Sequence, residues 1–156
     1  MYYVTICTNG KERIFGSIKN DKMILNNYGR IVRHELIKTA HIRTNVVLDA
    51  YVIMPDHIHS IIKINNLYIT SCRGMARHAH LSYNAYYMRK FGNPIKNSLS
   101  SIIGSFKSSV SREINKTRNT PGQNVWQRNY FEHIIRNEKE LYAARIYIIN
   151  NPKNYK

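Results

Sequence analysis

Hydrophobic positions along the chain recur with two periods, two and about 3.6, and the switches between them mark the elements. MYYVTICT is rich in β-branched and aromatic residues and predicts a first strand, closed by Asn9-Gly10. RIFGSIKNDKMILN predicts a short hairpin turning over Lys19 to Lys22. Leu25, Tyr28, Ile31, Val32, Leu36 and Ile37 then fall at helical spacing, which predicts an amphipathic helix from Leu25 to Ala40. Asn45 to Met54 is β-type throughout and predicts a central strand. Pro55-Asp56 turns the chain, and His57 to Ile64 returns as the antiparallel partner. Residues 65 to 95 are polar and basic without a period, and they read as a long excursion of the kind that is either functional or mobile. A second helix is expected from about Ser98 to Thr117, with Leu99, Ile102, Ile103, Phe106, Val110 and Ile114 as its apolar face. Val125 to Ile135 predicts a last strand. Asn137 followed by Glu140 is close to a capping box and opens a third helix, Glu138 to about Asn150, stopped by Pro152.

This order of elements predicts an α+β fold, an antiparallel sheet with the helices on one side of it. A β-α-β unit around a central hairpin is compatible with a ferredoxin-like arrangement. The 156 residues suit one domain spanning 1–156, with no repeat and no linker. Charge changes the picture more than length does. Lys and Arg number 24 against 9 acidic residues, a formal net charge of +15. Such an excess favours a polyanionic partner, nucleic acid before an anionic membrane surface. No run approaches the roughly 20 apolar residues that span a bilayer, and no secretory signal is visible. Two cysteines, Cys7 and Cys72, lie outside any metal spacing and fit a reducing cytoplasm.

The strand His57 to Ile64 opens with two imidazoles one residue apart. Residues i and i+2 of a strand share a face, so His57 and His59 project side by side and can converge on one divalent ion. Asp56 can orient a histidine or simply make the turn. His78-Ala79-His80 repeats the spacing in a polar segment without strand character and reads as a decoy. On the third helix, Tyr147 and Asn151 are four apart and stack on one face, with Ala143 and Ala144 leaving space beside them. A tyrosine and an amide oxygen so placed could serve as nucleophile and third metal donor. The plain alternative is an amphipathic tyrosine and a C-cap asparagine before proline, and spacing leaves both open.

DHIH after a strand, SIIGSFKSSVSREIN, VWQRNYFEHIIRNEKEL and YIINNP, in this order, resemble the HUH-type single-tyrosine transposases. The branch they look like is the REP-associated tyrosine transposases. The resemblance runs from about Met1 to Pro152. It implies a sheet carrying the histidine pair His57 and His59, a helix carrying Tyr147 as nucleophile with Asn151 as third ligand, and Mg or Mn as the metal. It further implies cleavage of single-stranded, hairpin-forming DNA through a 5′-phosphotyrosine link, and leaves room for a homodimer. Tyr130 and Tyr142 are the competing tyrosines. Lys107, Arg112, Arg118, Arg128, Arg136 and Arg145 are candidate phosphate contacts, and Trp126, Tyr130 and Phe131 are candidates either for base stacking or for the core. The alternative function is a non-catalytic nucleic-acid-binding module on the same sheet. Such a module expects aromatic residues on its central strands, where NVVLDAYVIM has only Tyr51.

Overall fold

The computed structural model describes residues 1–65 and 97–155. The expected excursion at 65–95, with His78 and His80, lies outside the described residues apart from Asn65. Strand β1 (Tyr2–Cys7) is followed by the hairpin β2 (Gly16–Lys19) and β3 (Lys22–Leu25). Asn20 and Asp21 both take positive φ, 49° and 59°, which is the backbone twist a two-residue hairpin turn requires. Helix α1 (Asn27–His41), strands β4 (Val46–Ile53) and β5 (His57–Ile64), helix α2 (Leu99–Thr117), strand β6 (Phe131–Ile134) and helix α3 (Glu138–Asn154) complete the described elements. Each helix opens on a side-chain cap: Asn26 accepts from the Gly29 N–H, Ser98 from Ser101 and Asn137 from Glu140. Glu140 returns the bond, accepting from the Asn137 amide at 2.9 Å and from the Arg136 N–H at 3.0 Å.

The four-stranded sheet has the order β4-β5-β1-β6, antiparallel throughout. With the β2–β3 hairpin set aside, the chain runs β-α-β-β-α-β, so the sheet is the ferredoxin-like one, and α3 is an addition to it. Alternation along the strands gives the sheet two apolar faces. Val4, Ile6, Ile58 and Ile62 point to one face and pack with Val32 and Leu36 of α1 and Ile102, Phe106 and Val110 of α2. Ile61 points to the other, where it packs with Leu141, Ile148 and Ala144 of α3. The expectation of helices on a single side is therefore corrected. A central strand apolar on both faces has to be covered twice, and α3 supplies the second cover. Among the described residues no helix is long and apolar enough to cross a membrane.

Two element bounds also differ from expectation by more than two residues. The last strand is confined to Phe131–Ile134. Val125 and Trp126 instead sink into the core, where Trp126 makes a single bridge to Thr8, just past β1, and its indole N–H donates to the Lys107 carbonyl at 3.1 Å. Burial of a large ring outweighed the local strand preference. Helix α3 also continues one turn past the expected stop, with Pro152 inside it. The proline lacks its own N–H bond and its ring crowds the carbonyl four residues back, a cost that falls in the last turn of the helix.

Candidate active site around His57, His59 and Tyr147

β1 and β5 pair with Thr5 opposite His59 and Cys7 opposite His57. Both histidines emerge on the face that α3 covers, as the alternation with Ile58 requires. Their rings lie 4.6 Å apart, edge to face. His59 is buried at 5% exposure. Two hydroxyls of β1, Tyr3 at 2.7 Å and Thr5 at 2.8 Å, reach its Nδ1. They are two apart in sequence and so share the histidine face of β1. His57 Nδ1 stands 2.6 Å from the Asp56 carboxylate, which takes up the orienting role and not merely that of a turn residue. In the tautomer that carries each ring's proton on the engaged Nδ1, the Nε2 lone pairs are left available.

Helix α3 lays Tyr147 against His59. Its ring centroid is 5.3 Å from that of His59 and 6.3 Å from that of Tyr3. Tyr147 is 52% exposed. Asn151, one turn further on, is buried. Tyr130 packs against the core on the other face of the sheet, and Tyr142 stands out in solvent. The structure thus brings His57, His59 and Tyr147 together and leaves the two competing tyrosines elsewhere. Among the described residues no three His, Cys, Asp or Glu side chains gather as a metal cage. Two imidazoles side by side are a donor pair that suits a divalent ion whose remaining positions are held by water or phosphate oxygens.

Burial keeps His59 in its neutral form. Burial, and then the neighbouring His57, push the His59 imidazole down from its ordinary 6.5 to about 4, against an opposing pull from Asp56. Burial likewise raises the Tyr3 hydroxyl to about 12, so it stays a neutral hydrogen-bonding group. Because the folded pKa of His59 lies below the unfolded one, the folded state binds fewer protons between them. Its contribution to stability is fully present above about pH 6.5 and is lost as pH falls toward 4. Thermal unfolding in EDTA at stepped pH is expected to show this loss, and His59→Gln is expected to flatten it.

Three residues near the pair escaped the sequence reading. Tyr3 and Thr5 could have been found as alternating polar groups on β1, but only the long-range register sets them opposite His59. Tyr155 lies at the end of α3, its ring 6.2 Å from His57 and 5.1 Å beneath the Arg13 guanidinium.

The candidate phosphate contacts do not form one patch. Lys107 donates to the carbonyls of Gln127, Arg128 and Asn129 at 2.5, 3.3 and 3.4 Å, satisfying groups that a longer strand would have paired. Arg118 is bound to Asn115. Arg112 is exposed on α2, in the layer opposite the histidines, and lies beside Glu113. Arg128 and Arg136 are exposed on the chain leading into and out of β6. Arg145, two residues before Tyr147, makes a bidentate pair with Asp49 at 2.8 and 2.5 Å. Asp49 sits at the register shift between Leu48 and Ala50, a bulge that turns its carboxylate to the helix. Either charge reversal, Asp49→Arg or Arg145→Asp, is expected to lower the unfolding midpoint, and the double reversal to restore most of the loss.

No family model matches the chain. An uncharacterized protein of Haemophilus influenzae is 37% identical over 151 residues, covering 97% of this chain and 79% of the relative. Among solved structures, a REP-associated tyrosine transposase bound to a REP hairpin is similar with a TM-score of 0.61 at 20% identity, covering 99% of this chain and 67% of its own. At that identity the likeness is one of fold.

Proposed function

We propose, for a chain that belongs to one family with the Haemophilus influenzae protein and has the fold of the REP-associated tyrosine transposase, that it cleaves and rejoins single-stranded, hairpin-associated DNA with Tyr147 as nucleophile. The placement of Tyr147 beside the histidine pair carries this reading. His57 and His59 would hold a divalent ion, Mg or Mn, through Nε2, with the Asn151 amide oxygen as a third donor. When bound, that ion supplies polarisation of the phosphate and stabilises negative charge on its oxygens. Asp56 holds the His57 ring, and Tyr3 and Thr5 hold that of His59. The Tyr147 oxygen forms a bond to phosphorus while the bond to the 3′ oxygen breaks. The 3′-hydroxyl leaves with a proton, and the 5′ end stays on the tyrosine. Reversal with a second 3′-hydroxyl rejoins the strands. With DNA as its substrate, the protein would work in the cytoplasm.

Incubating the protein with a labelled hairpin bearing a single-stranded flank, with Mg or Mn, tests the reading directly. A covalent protein–DNA band on a denaturing gel is expected. Binding without that band would leave a non-catalytic DNA-binding module. The net charge of +15 makes a second forecast. Affinity is expected to fall with a slope of about −0.7 in log K against log salt for each phosphate neutralised, and a flat slope would exclude DNA as the main partner.

A further inference from the structure

On the far side of Tyr147 from the histidines, an open groove of about 490 Å³ runs between β6 and α3. Phe131 and Ile135 form one wall, Ala143 and Ala144 the other, and Tyr3 and Tyr147 close the end beside His59. Two successive alanines on the helix create the width. Phe131 is 60% exposed, a large ring left at the surface of an edge strand.

We infer that this groove receives a nucleobase of the DNA strand, next to the phosphate that Tyr147 attacks. The inference rests on the function proposed above and adds a subsite to it. Continuity is the first support. Tyr3 and Tyr147 belong both to the groove and to the histidine site, and Tyr3 holds His59 with its hydroxyl. A phosphate set against Tyr147 carries its own sugar and base to the neighbouring surface, and this groove is that surface. Wall chemistry is the second. An exposed phenyl ring with two phenol rings at the end of a mostly apolar trough offers π-faces, on which any base stacks irrespective of its hydrogen-bonding edge. Charge is the third. Glu140, the carboxylate at the rim, is held by the Arg136 N–H, the Asn137 amide and His133. Arg136, which directly follows Ile135 of the groove wall, is exposed and positively charged.

Fluorescence anisotropy with two labelled probes, a dT12 strand and an abasic twelve-residue strand with the same phosphates, separates base binding from phosphate binding. Wild type is expected to prefer dT12. Phe131→Ala, which removes the stacking ring, and Ala143→Trp, which fills the trough from an exposed helix position, are each expected to weaken dT12 binding about tenfold and to leave the abasic strand unchanged. The inference is overturned if wild type binds both probes equally, or if both variants bind dT12 as wild type does. It is also overturned if Phe131→Ala chiefly lowers self-association in sedimentation, which would make the groove a contact between copies. The covalent-adduct assay is independent. A wild type that prefers dT12 through the groove yet forms no adduct keeps the subsite and sinks the nuclease reading, whereas adduct formation with indifferent groove variants sinks the subsite alone.

Discussion

Tyr147→Phe is expected to abolish the covalent protein–DNA product while leaving hairpin binding and thermal stability close to wild type. The substitution removes one oxygen and keeps the ring. Tyr147 is half exposed, and none of the hydrogen bonds found among the described residues involves its hydroxyl, so the fold loses little. Chemistry loses everything, because the atom that would bond to phosphorus is gone. Tyr130→Phe and Tyr142→Phe are expected to cleave within a modest factor of wild type. Tyr130 packs against the opposite face of the sheet, with burial and nearby Glu132 raising its hydroxyl to about 12, and Tyr142 points to solvent. Strands labelled at the 5′ and 3′ ends, resolved on a denaturing gel, distinguish the three. An adduct that persists in Tyr147→Phe, or disappears in Tyr130→Phe instead, would overturn the assignment.

Much of this arrangement is legible in the sequence. The strand His57–Ile64, the turn at Pro55-Asp56 and the cap at Asn137 are local signals, and they came through with their bounds nearly intact. Alternation alone also fixed that His57 and His59 share a face. What periodicity cannot carry is pairing between distant segments. Nothing local places Thr5 opposite His59, or Asp49 against Arg145 ninety-six residues later. Arg145 therefore looked like one more free cation, when a bulge in β4 had turned an acidic partner toward it. The strand expected from Val125 starts only at Phe131 for a related reason, because Trp126 is drawn into the core. Its run is β-type, yet a ring that fits between Phe15 and Phe106 gains more from the core than from a sheet edge.

Removing either histidine is expected to end cleavage and to weaken Mn binding by at least about a hundredfold, beyond the 10- to 100-fold typical of losing an orienting partner. The two changes should differ in stability. His57 is partly exposed and tethered to Asp56, so His57→Ala leaves a carboxylate that water can reach. His59 is buried between Tyr3, Thr5 and Tyr147, and His59→Ala strands two hydroxyls that lose their shared partner. Each such loss costs roughly 1 to 3 kcal/mol when the group stays dry, so His59→Ala is expected to unfold at a visibly lower temperature. Tyr3→Phe separates the two effects. It keeps the ring and the imidazole but removes one hydroxyl from Nδ1, and should weaken Mn binding about 10- to 100-fold with cleavage slowed and not abolished. Calorimetric titration with Mn, beside single-turnover cleavage at saturating DNA, orders the series as wild type, Tyr3→Phe, then the two alanine variants. Equal Mn affinity across all four proteins would show that the imidazoles hold no metal, and that the buried pair serves the fold alone.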